Sequence, residues 1–160
     1  MAIPKSVTKV SKDGKVTYTQ SVDRINYTIR ELTRAALRDV GKYVCKEFRN
    51  SYYARFKKRK RIVGRATMYW VRHNKKYQDH VDLIVGISNG ENKKNPNGFY
   101  GGFQEFGTSK QPKLGLFLHA AQDNIAKIVE IESQYLSALE DEAKALSLIS
   151  EEEYKGNADE

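Results

Sequence analysis

The apolar residues of 22–56 recur every three or four positions, and this repeat constrains the fold more than any other feature of the sequence. It consists of Ile25, Ile29, Leu32, Ala36, Val40, Val44 and Phe48. This spacing places the side chains on one face of an α-helix, so we predict a single long helix over 22–56. Gly41 interrupts it at a cost of about 1 kcal/mol relative to alanine. Gly41 indicates either that another segment approaches the helix closely at this point or only that the helix tolerates a glycine there.

Segments with strand character flank this helix. Residues 7–20 are predicted to form a β-hairpin, because an Asp-Gly turn pair separates two arms rich in Val and Thr. Residues 62–72 and 80–88 are predicted to form antiparallel strands, and the second shows apolar alternation at Val81, Leu83, Val85 and Ile87. Residues 99–106 are expected to form a third strand or a short extended piece.

A second long helix is predicted over 116–150, where an apolar stripe returns beside an acidic side. We therefore expect an α+β fold, in which a small antiparallel sheet packs against two long helices and an N-terminal β-hairpin forms an arm. The expected division is an arm at 1–20, one α+β domain at 21–150 with a mobile loop at 88–98, and a flexible tail at 151–160.

Composition argues against several classes of protein. The chain has 160 residues, enough for one domain, and no run of 18 apolar residues, so no membrane partner is expected. The N-terminal MAIPKSVTKV lacks the apolar core of a signal peptide. Cys45 is the single cysteine, and a lone thiol fits a reducing cytoplasm. Between a reactive thiol and a packing role we favour packing, because Val44 and Phe48 are its apolar neighbours.

Charge is divided unevenly along the chain. Residues 1–90 carry 21 Lys and Arg against 7 Asp and Glu, whereas residues 91–160 carry 7 against 13. Either the basic part meets nucleic acid, or opposite charges on neighbouring copies attract one another in an assembly. The candidate nucleic-acid contacts on the first helix are Arg30, Arg34, Arg38 and Lys42.

A run of five basic residues follows the first helix: Lys57, Lys58, Arg59, Lys60 and Arg61. It is either a solvated turn or a contact with DNA or with an acidic protein surface. The nearby Tyr52, Tyr53 and Phe56 can stack on exposed bases, but the apolar repeat can equally place Tyr52 and Phe56 in the core.

No arrangement of residues indicates catalysis. The three histidines, His73, His80 and His119, lack a second His or Cys at metal-binding spacing. No nucleophile motif or phosphate-binding glycine loop occurs, and Glu105 has no acidic companion close in sequence. We therefore expect neither an enzyme nor a cofactor. A nuclease, the third hypothesis considered, would need clustered acids for Mg²⁺ that the basic part of the chain lacks.

The segment FQEFGTSKQPKLGLFLHAA (103–121) contains an EFGT element, then Pro112, then Phe117-Leu118 before the second helix. This order resembles the signature of the head–tail joining, or tail-completion, proteins of long-tailed bacteriophages. The resemblance is strongest over these residues and extends across about 22–150. It departs from the family at Lys113-Leu114-Gly115-Leu116, where a proline usually precedes the aromatic residue.

The resemblance implies a structural protein of the virion neck, made in the host cytoplasm, which joins the DNA-filled head to the tail. It implies a homo-oligomeric ring, a hexamer in keeping with the sixfold symmetry of tail tubes. The other implied partners are the head connector, the tail-terminator or tail-tube proteins and DNA in the channel. The alternative left open by the residues is a small basic DNA- or RNA-binding protein.

The same segment supplies four candidate contact residues: Glu105, Phe106, Gly107 and Thr108. The basic run 57–61 is a further candidate contact. Gly107 suits a sharp reversal, and Thr108 or Ser109 can bond the backbone within that turn. We expect Phe106 and Phe117 to pack in the core. Glu105 is either a cap or salt bridge within the subunit, or a contact between subunits.

Overall fold

The computed structural model describes residues 7–10, 17–56, 61–73, 81–90, 98–141 and 143–149. The elements are β1 (Val7–Val10), β2 (Thr17–Gln20), α1 (Val22–Arg55), α2 (Arg61–Arg65), β3 (Thr67–His73), β4 (Val81–Ile87), α3 (Tyr100–Phe106), α4 (Leu116–Gln122), α5 (Ile125–Ser137) and a 3-10 turn at Ala138–Glu140. Residues 143–149 are helical. The predicted α+β class is confirmed, since a two-stranded antiparallel sheet packs against one long helix and several shorter ones.

The predicted first helix is confirmed as α1, which spans 34 residues. Contacts divide the chain into two compact units, one formed by 1–35 with 135–160 and the other by 36–134, and α1 contributes to both. The expected division into arm, domain and tail stays a prediction.

The unit 36–134 contains a hydrophobic core whose buried members are Val40, Val44, Phe48, Tyr52, Val63 and Ala120. Leu83, Val85 and Ile87 of β4 pack against this core, as predicted for three of the four alternating residues, although all residues of the strand are partly buried. Strands β3 and β4 pair antiparallel with Thr67 opposite Ile87. This small sheet therefore covers one side of the core, and α1 covers the opposite side.

Gly41 lies where the sheet meets α1. A Cβ atom at this position would lie 2.6 Å from Cδ2 of Tyr69 and 3.0 Å from Cδ1 of Leu83. Those distances are shorter than van der Waals contact, so the glycine is required for the close packing of β3 and β4 on the helix. Of the two explanations offered by the sequence, the close approach is confirmed.

The unit formed by 1–35 and 135–160 contains the predicted N-terminal hairpin. Strands β1 and β2 pair antiparallel with Val7 opposite Gln20, which confirms the hairpin; its turn lies outside the described residues. The buried apolar residues of this unit are Leu32, Ala35, Tyr135, Ala138, Ala145 and Ile149.

The predicted strand 62–72 is wrong over its first residues, because 61–65 form helix α2. The amide of Ala66 donates to the carbonyl of Ile62, and the hydroxyl of Thr67 donates to the carbonyl of Val63. These bonds close a helical turn immediately before the strand begins. A short apolar run does not distinguish a strand from one turn of helix, which explains the error.

The prediction of an unbroken second long helix is also wrong. Residues 123–124 form a turn between α4 and α5, and a 3-10 turn follows α5 at 138–140. The side chain of Asn124 explains the first break, since its amide nitrogen donates to the carbonyl of Ala120 while its amide oxygen accepts a bond from the hydroxyl of Tyr43. None of the described helices combines the length and the apolar character needed to cross a membrane.

Candidate functional site

Helix α3 buries polar side chains and exposes aromatic ones, which is the reverse of the usual distribution. It buries Gly101, Gln104 and Glu105. The aromatic residues at its start and along its outer side are exposed: Phe99 by 59%, Tyr100 by 72%, Phe103 by 43% and Phe106 by 77%. Large aromatic residues are ordinarily buried and charged ones exposed. We call these four exposed residues the aromatic face.

The predicted third strand or extended piece at 99–106 is thus wrong, because 100–106 are helical. Two adjacent glycines concealed the helix, since glycine is a poor helix former. The reason for Gly101 is tertiary. A Cβ atom there would collide with the side chain of Ile87 and lie 2.8 Å from Cγ1 of Val63. The helix can approach β4 and α2 this closely only with a glycine.

The polar residues on the inner side of α3 form hydrogen bonds within the subunit. The side-chain oxygen of Gln104 accepts a 2.9 Å hydrogen bond from the hydroxyl of Tyr52, which is 1% exposed. The backbone carbonyl of Gln104 accepts a bond from the amide of Leu114. Gln104 therefore ties α3 both to the end of α1 and to the loop that follows.

Glu105 acts as the cap of the next helix. Its Oε1 accepts a 3.0 Å hydrogen bond from the backbone amide of Phe117, in the first turn of α4, while its carbonyl accepts a bond from the amide of Gly115. A helix begins with amide groups that lack partners within the helix, and a carboxylate there also meets the positive end of the helix dipole. The cap within the subunit is thus observed for Glu105, and its contact between subunits stays a prediction.

The loop between α3 and α4 is a rigid turn. Gly107 has φ 80° and ψ 171°, a conformation that is essentially restricted to glycine. The amides of Lys110 and Gln111 both donate to Oγ1 of Thr108, and the backbones of Thr108 and Gln111 bond each other in both directions. The predicted roles of Gly107 and Thr108 in the turn are confirmed.

The two phenylalanines assigned to the core have different positions. Phe117 is partly buried and stacks on Phe48 with ring centroids 3.8 Å apart and an interplanar angle of 7°, as expected. Phe106 is 77% exposed, so its assignment to the core was wrong. The reason is the helical conformation of α3, which turns Phe106 outward while Glu105 points inward.

The aromatic face is partly preassembled. The ring of Phe99 meets the ring of Phe103 edge-to-face at 5.1 Å, and it meets the ring of Tyr100 at 5.8 Å in the same manner. Rings held in this way lose less side-chain freedom on binding a partner than free ones would. The described residues thus combine three features: a rigid turn, a helix whose buried polar side chains form hydrogen bonds within the subunit, and an exposed aromatic surface.

The predicted basic residues that the structure describes lie on α1 and at the start of α2. Lys57–Lys60 lie outside the described residues, and Arg61 begins α2. On α1, Arg34 forms an ion pair with Glu31 at 3.2 Å, and Lys42 forms one with Asp39 at 3.7 Å. Arg30 is exposed and Arg38 is partly buried.

The aromatic residues considered for base stacking near this basic run belong to the core. Tyr52 is buried, and Phe56 is partly buried against the cluster around it. These two are therefore interior residues of the subunit, whereas Tyr53, the third ring beside the run, is 38% exposed.

Cys45 has the packing role expected from its neighbours. Its side chain is 2% exposed. Burial raises the pKa of the Cys45 thiol to about 11, although the nearby positive charge of Arg49 opposes the increase. A protonated, inaccessible thiol is a poor nucleophile. Across the described residues, no three His, Cys, Asp or Glu side chains lie close enough together to hold a metal ion.

The comparison with protein-family models, curated proteins and solved structures found no match.

Phe99, Tyr100 and Phe103 were missed as candidate functional residues. The signal was present, because Phe99, Phe103 and Phe106 are spaced i, i+4 and i+7, which is one face of a helix. The Gly-Gly pair between them favoured an extended piece instead. Only the proximity of Ile87 and Val63 explains why glycine is needed in this helix.

Proposed function

We propose that this chain is a structural protein of a phage neck, which completes the tail and joins the DNA-filled head to it as a ring of identical copies. The proposal rests on the EFGT, Pro112 and Phe117-Leu118 order described above. One structural observation supports a role in assembly more than any other: the aromatic face is exposed, while the polar residues Gln104 and Glu105 of the same helix are buried.

Rigidity also supports an assembly role. The aromatic face is anchored from beneath by Gln104 on Tyr52 and by Glu105 on the first turn of α4. Exposed apolar surface on such a rigid support is typical of protein–protein contacts. The buried, protonated thiol of Cys45 offers no support for nucleophilic catalysis.

The proposal is tested by removing the protein from the virus that encodes it. Particles made without it should accumulate as filled heads and separate tails, and adding the purified protein should restore joined particles, as counted by electron microscopy. Normally joined particles in its absence would refute the proposal.

A parallel measurement tests the nucleic-acid alternative. Binding of the purified protein to duplex DNA should be weak and without sequence preference if the neck role holds. Tight binding that weakens steeply with salt, lost when Arg30 and Arg38 are changed to Gln, would favour the alternative instead.

A further inference from the structure

The aromatic face has a complementary surface on the same chain, along the outer side of α5. Residues Ile125 and Val129 of α5 are 57% and 55% exposed, and they lie one turn apart on the same side of the helix. The inner side of this helix is formed by Ile128 and Ile131, which pack against the core. Helix α5 is thus apolar on two sides, only one of which is covered by the residues that the structure describes.

Acidic residues border this outer stripe. Glu130 and Glu132 flank Ile125 and Val129 around the helix, and the exposed carboxylate of Asp123, just before the helix begins, lies 3.8 Å from Nδ1 of His119. Lys127 is the single lysine of 116–134, and it bonds to Glu130 at 2.8 Å. We call Ile125 and Val129 with their acidic border the acidic–aliphatic face.

The aromatic face has the opposite border. Residues 98–115 contain Lys110, Lys113 and a single acid, Glu105, which is buried as the cap of α4. Lys113 lies directly against the turn, since its backbone nitrogen would be 2.8 Å from a Cβ atom at Gly107. The exposed charged side chains of 98–115 are therefore both positive.

We infer that the aromatic face of one copy packs on the acidic–aliphatic face of the next copy. Apolar side chains meet apolar side chains, and Lys110 and Lys113 meet the acids of α5, which steers the approach and sets the orientation. The two faces are different surfaces of one chain, so the contact is head-to-tail and repeats around a closed ring or along a filament. This inference rests on the proposed function for its biological setting only.

The size of the contact predicts its strength. Aromatic side chains bury roughly 150–250 Å² each, so four rings that are about half-exposed supply on the order of 400 Å² from one partner. That is about half of what a standard stable interface buries per partner, about 800 Å². A single contact is weak, and copies associate firmly only when the ring closes or another component aligns them.

Disulfide trapping tests the pairing with purified full-length protein, because it detects weak association. We would mix a Phe106→Cys variant with a Val129→Cys variant and oxidise them gently at pH 8. The pairing predicts a cross-linked dimer in the mixture and little in either variant alone. Wild-type protein is the background control, since its only cysteine is buried and protonated, and Asn50→Cys, an exposed position on α1, is the control for random collisions.

Each outcome decides the inference. A dimer from Phe106→Cys alone, at the yield of the mixture, would mean that the aromatic face pairs with itself and would overturn the proposal. Equal yields with Asn50→Cys as partner, or no cross-link at about 1 mM protein, would overturn it as well. Both reporter positions are more than half exposed, so the fold should persist, and Tyr100→Cys is a second reporter if Phe106→Cys melts early.

Charge exchange provides an independent readout. Changing Lys110 and Lys113 to Glu should reduce the cross-linking yield several-fold, and combining that variant with Glu130→Lys and Glu132→Lys on the partner should restore it. Failure to restore the yield would reject this orientation of the two faces. A cross-link between the faces, together with normal joining in particles that lack the protein, would support the pairing and refute the neck function. Absence of the cross-link, together with heads and tails that fail to join without the protein, would refute the pairing and support the neck function.

Discussion

At the scale of single residues, Gly107 and Gly102 are a matched pair. Gly107 has a conformation that only glycine adopts readily, and a Cβ atom there would lie 2.8 Å from the backbone nitrogen of Lys113. Gly102 lies within α3 and has open space where a Cβ atom would be. The two glycines therefore have opposite tolerance for a side chain.

We predict that Gly107→Ala lowers the free energy of unfolding by about 1–3 kcal/mol. Gly102→Ala should leave it unchanged or raise it by up to about 1 kcal/mol, since alanine is the better helix former. Urea unfolding followed by circular dichroism measures both. Equal losses for the two variants would show that the conformation of the 107–115 turn is not what selects glycine.

Cys45 gives the molecule a pH dependence with a definite sign. Burial raises the pKa of its thiol to about 11, whereas an exposed cysteine titrates near 8.5. The stability contributed by the protonated thiol is complete below the unfolded value and is lost as the pH rises toward the folded one. Burial also raises the pKa of Tyr52, despite its hydrogen bond to Gln104, and this acts in the same direction.

We therefore predict that the free energy of unfolding falls between pH 8.5 and 11, by about 2–3 kcal/mol from the thiol. Cys45→Ala should be less stable at neutral pH because it leaves a cavity, but its stability should fall less over this range. Urea unfolding at pH 8 and at pH 10.5 provides the comparison. Parallel losses in both proteins would contradict the assignment to Cys45.

At the scale of elements, Glu105 couples α3 to α4. Its carboxylate is buried and satisfies the amide of Phe117, while Phe117 itself stacks on Phe48 of α1. One side chain therefore fixes the angle at which two short helices meet the long one. Neither α3 nor α4 exceeds 7 residues, and helices of that length depend on such tertiary support.

We predict that Glu105→Ala destabilises the protein by about 1–3 kcal/mol, because it leaves a partly buried amide without its acceptor. Glu105→Gln keeps an oxygen acceptor and should lose less than half as much. Thermal melts and urea titrations of the two variants check this order. A glutamine variant as unstable as the alanine variant would mean that the negative charge, not the hydrogen bond, supports α4.

At the scale of the whole molecule, the charges around the proposed contact are expected to control assembly. Lys110 and Lys113 border the aromatic face, and Glu130 and Glu132 border the acidic–aliphatic face. Attraction between exposed charges is screened beyond about 8 Å at physiological ionic strength, so it acts mainly on the rate of encounter.

We predict that raising salt from 50 to 500 mM slows self-association at least several-fold, while the dissociation rate changes little. Light scattering after rapid mixing measures the first rate, and dilution measures the second. The Lys110→Glu, Lys113→Glu variant should show a weaker salt dependence than the wild type. A dissociation rate that rises as steeply as the association rate falls would place the charges inside the contact instead of around it.

Sequence patterns were sufficient where a residue's surroundings are local. The repeat from Ile25 to Phe48 predicted α1 nearly to its ends, and the alternation in 81–87 predicted which side of β4 meets the core. Gly107 and Thr108 were assigned to a turn for reasons that concern only their own backbone. Periodicity and turn chemistry act within a few residues, so they can be read without the fold.

The tertiary structure decided what depends on distant partners. Asn124 accepts a hydrogen bond from Tyr43 at the break in the second helix, and Gly101 is needed in α3 because Ile87 and Val63 leave no room for a larger residue. The same approach buries Glu105 and turns Phe106 outward, against the expectation from hydrophobicity. Such choices follow from contacts between segments far apart in sequence, which no local pattern contains.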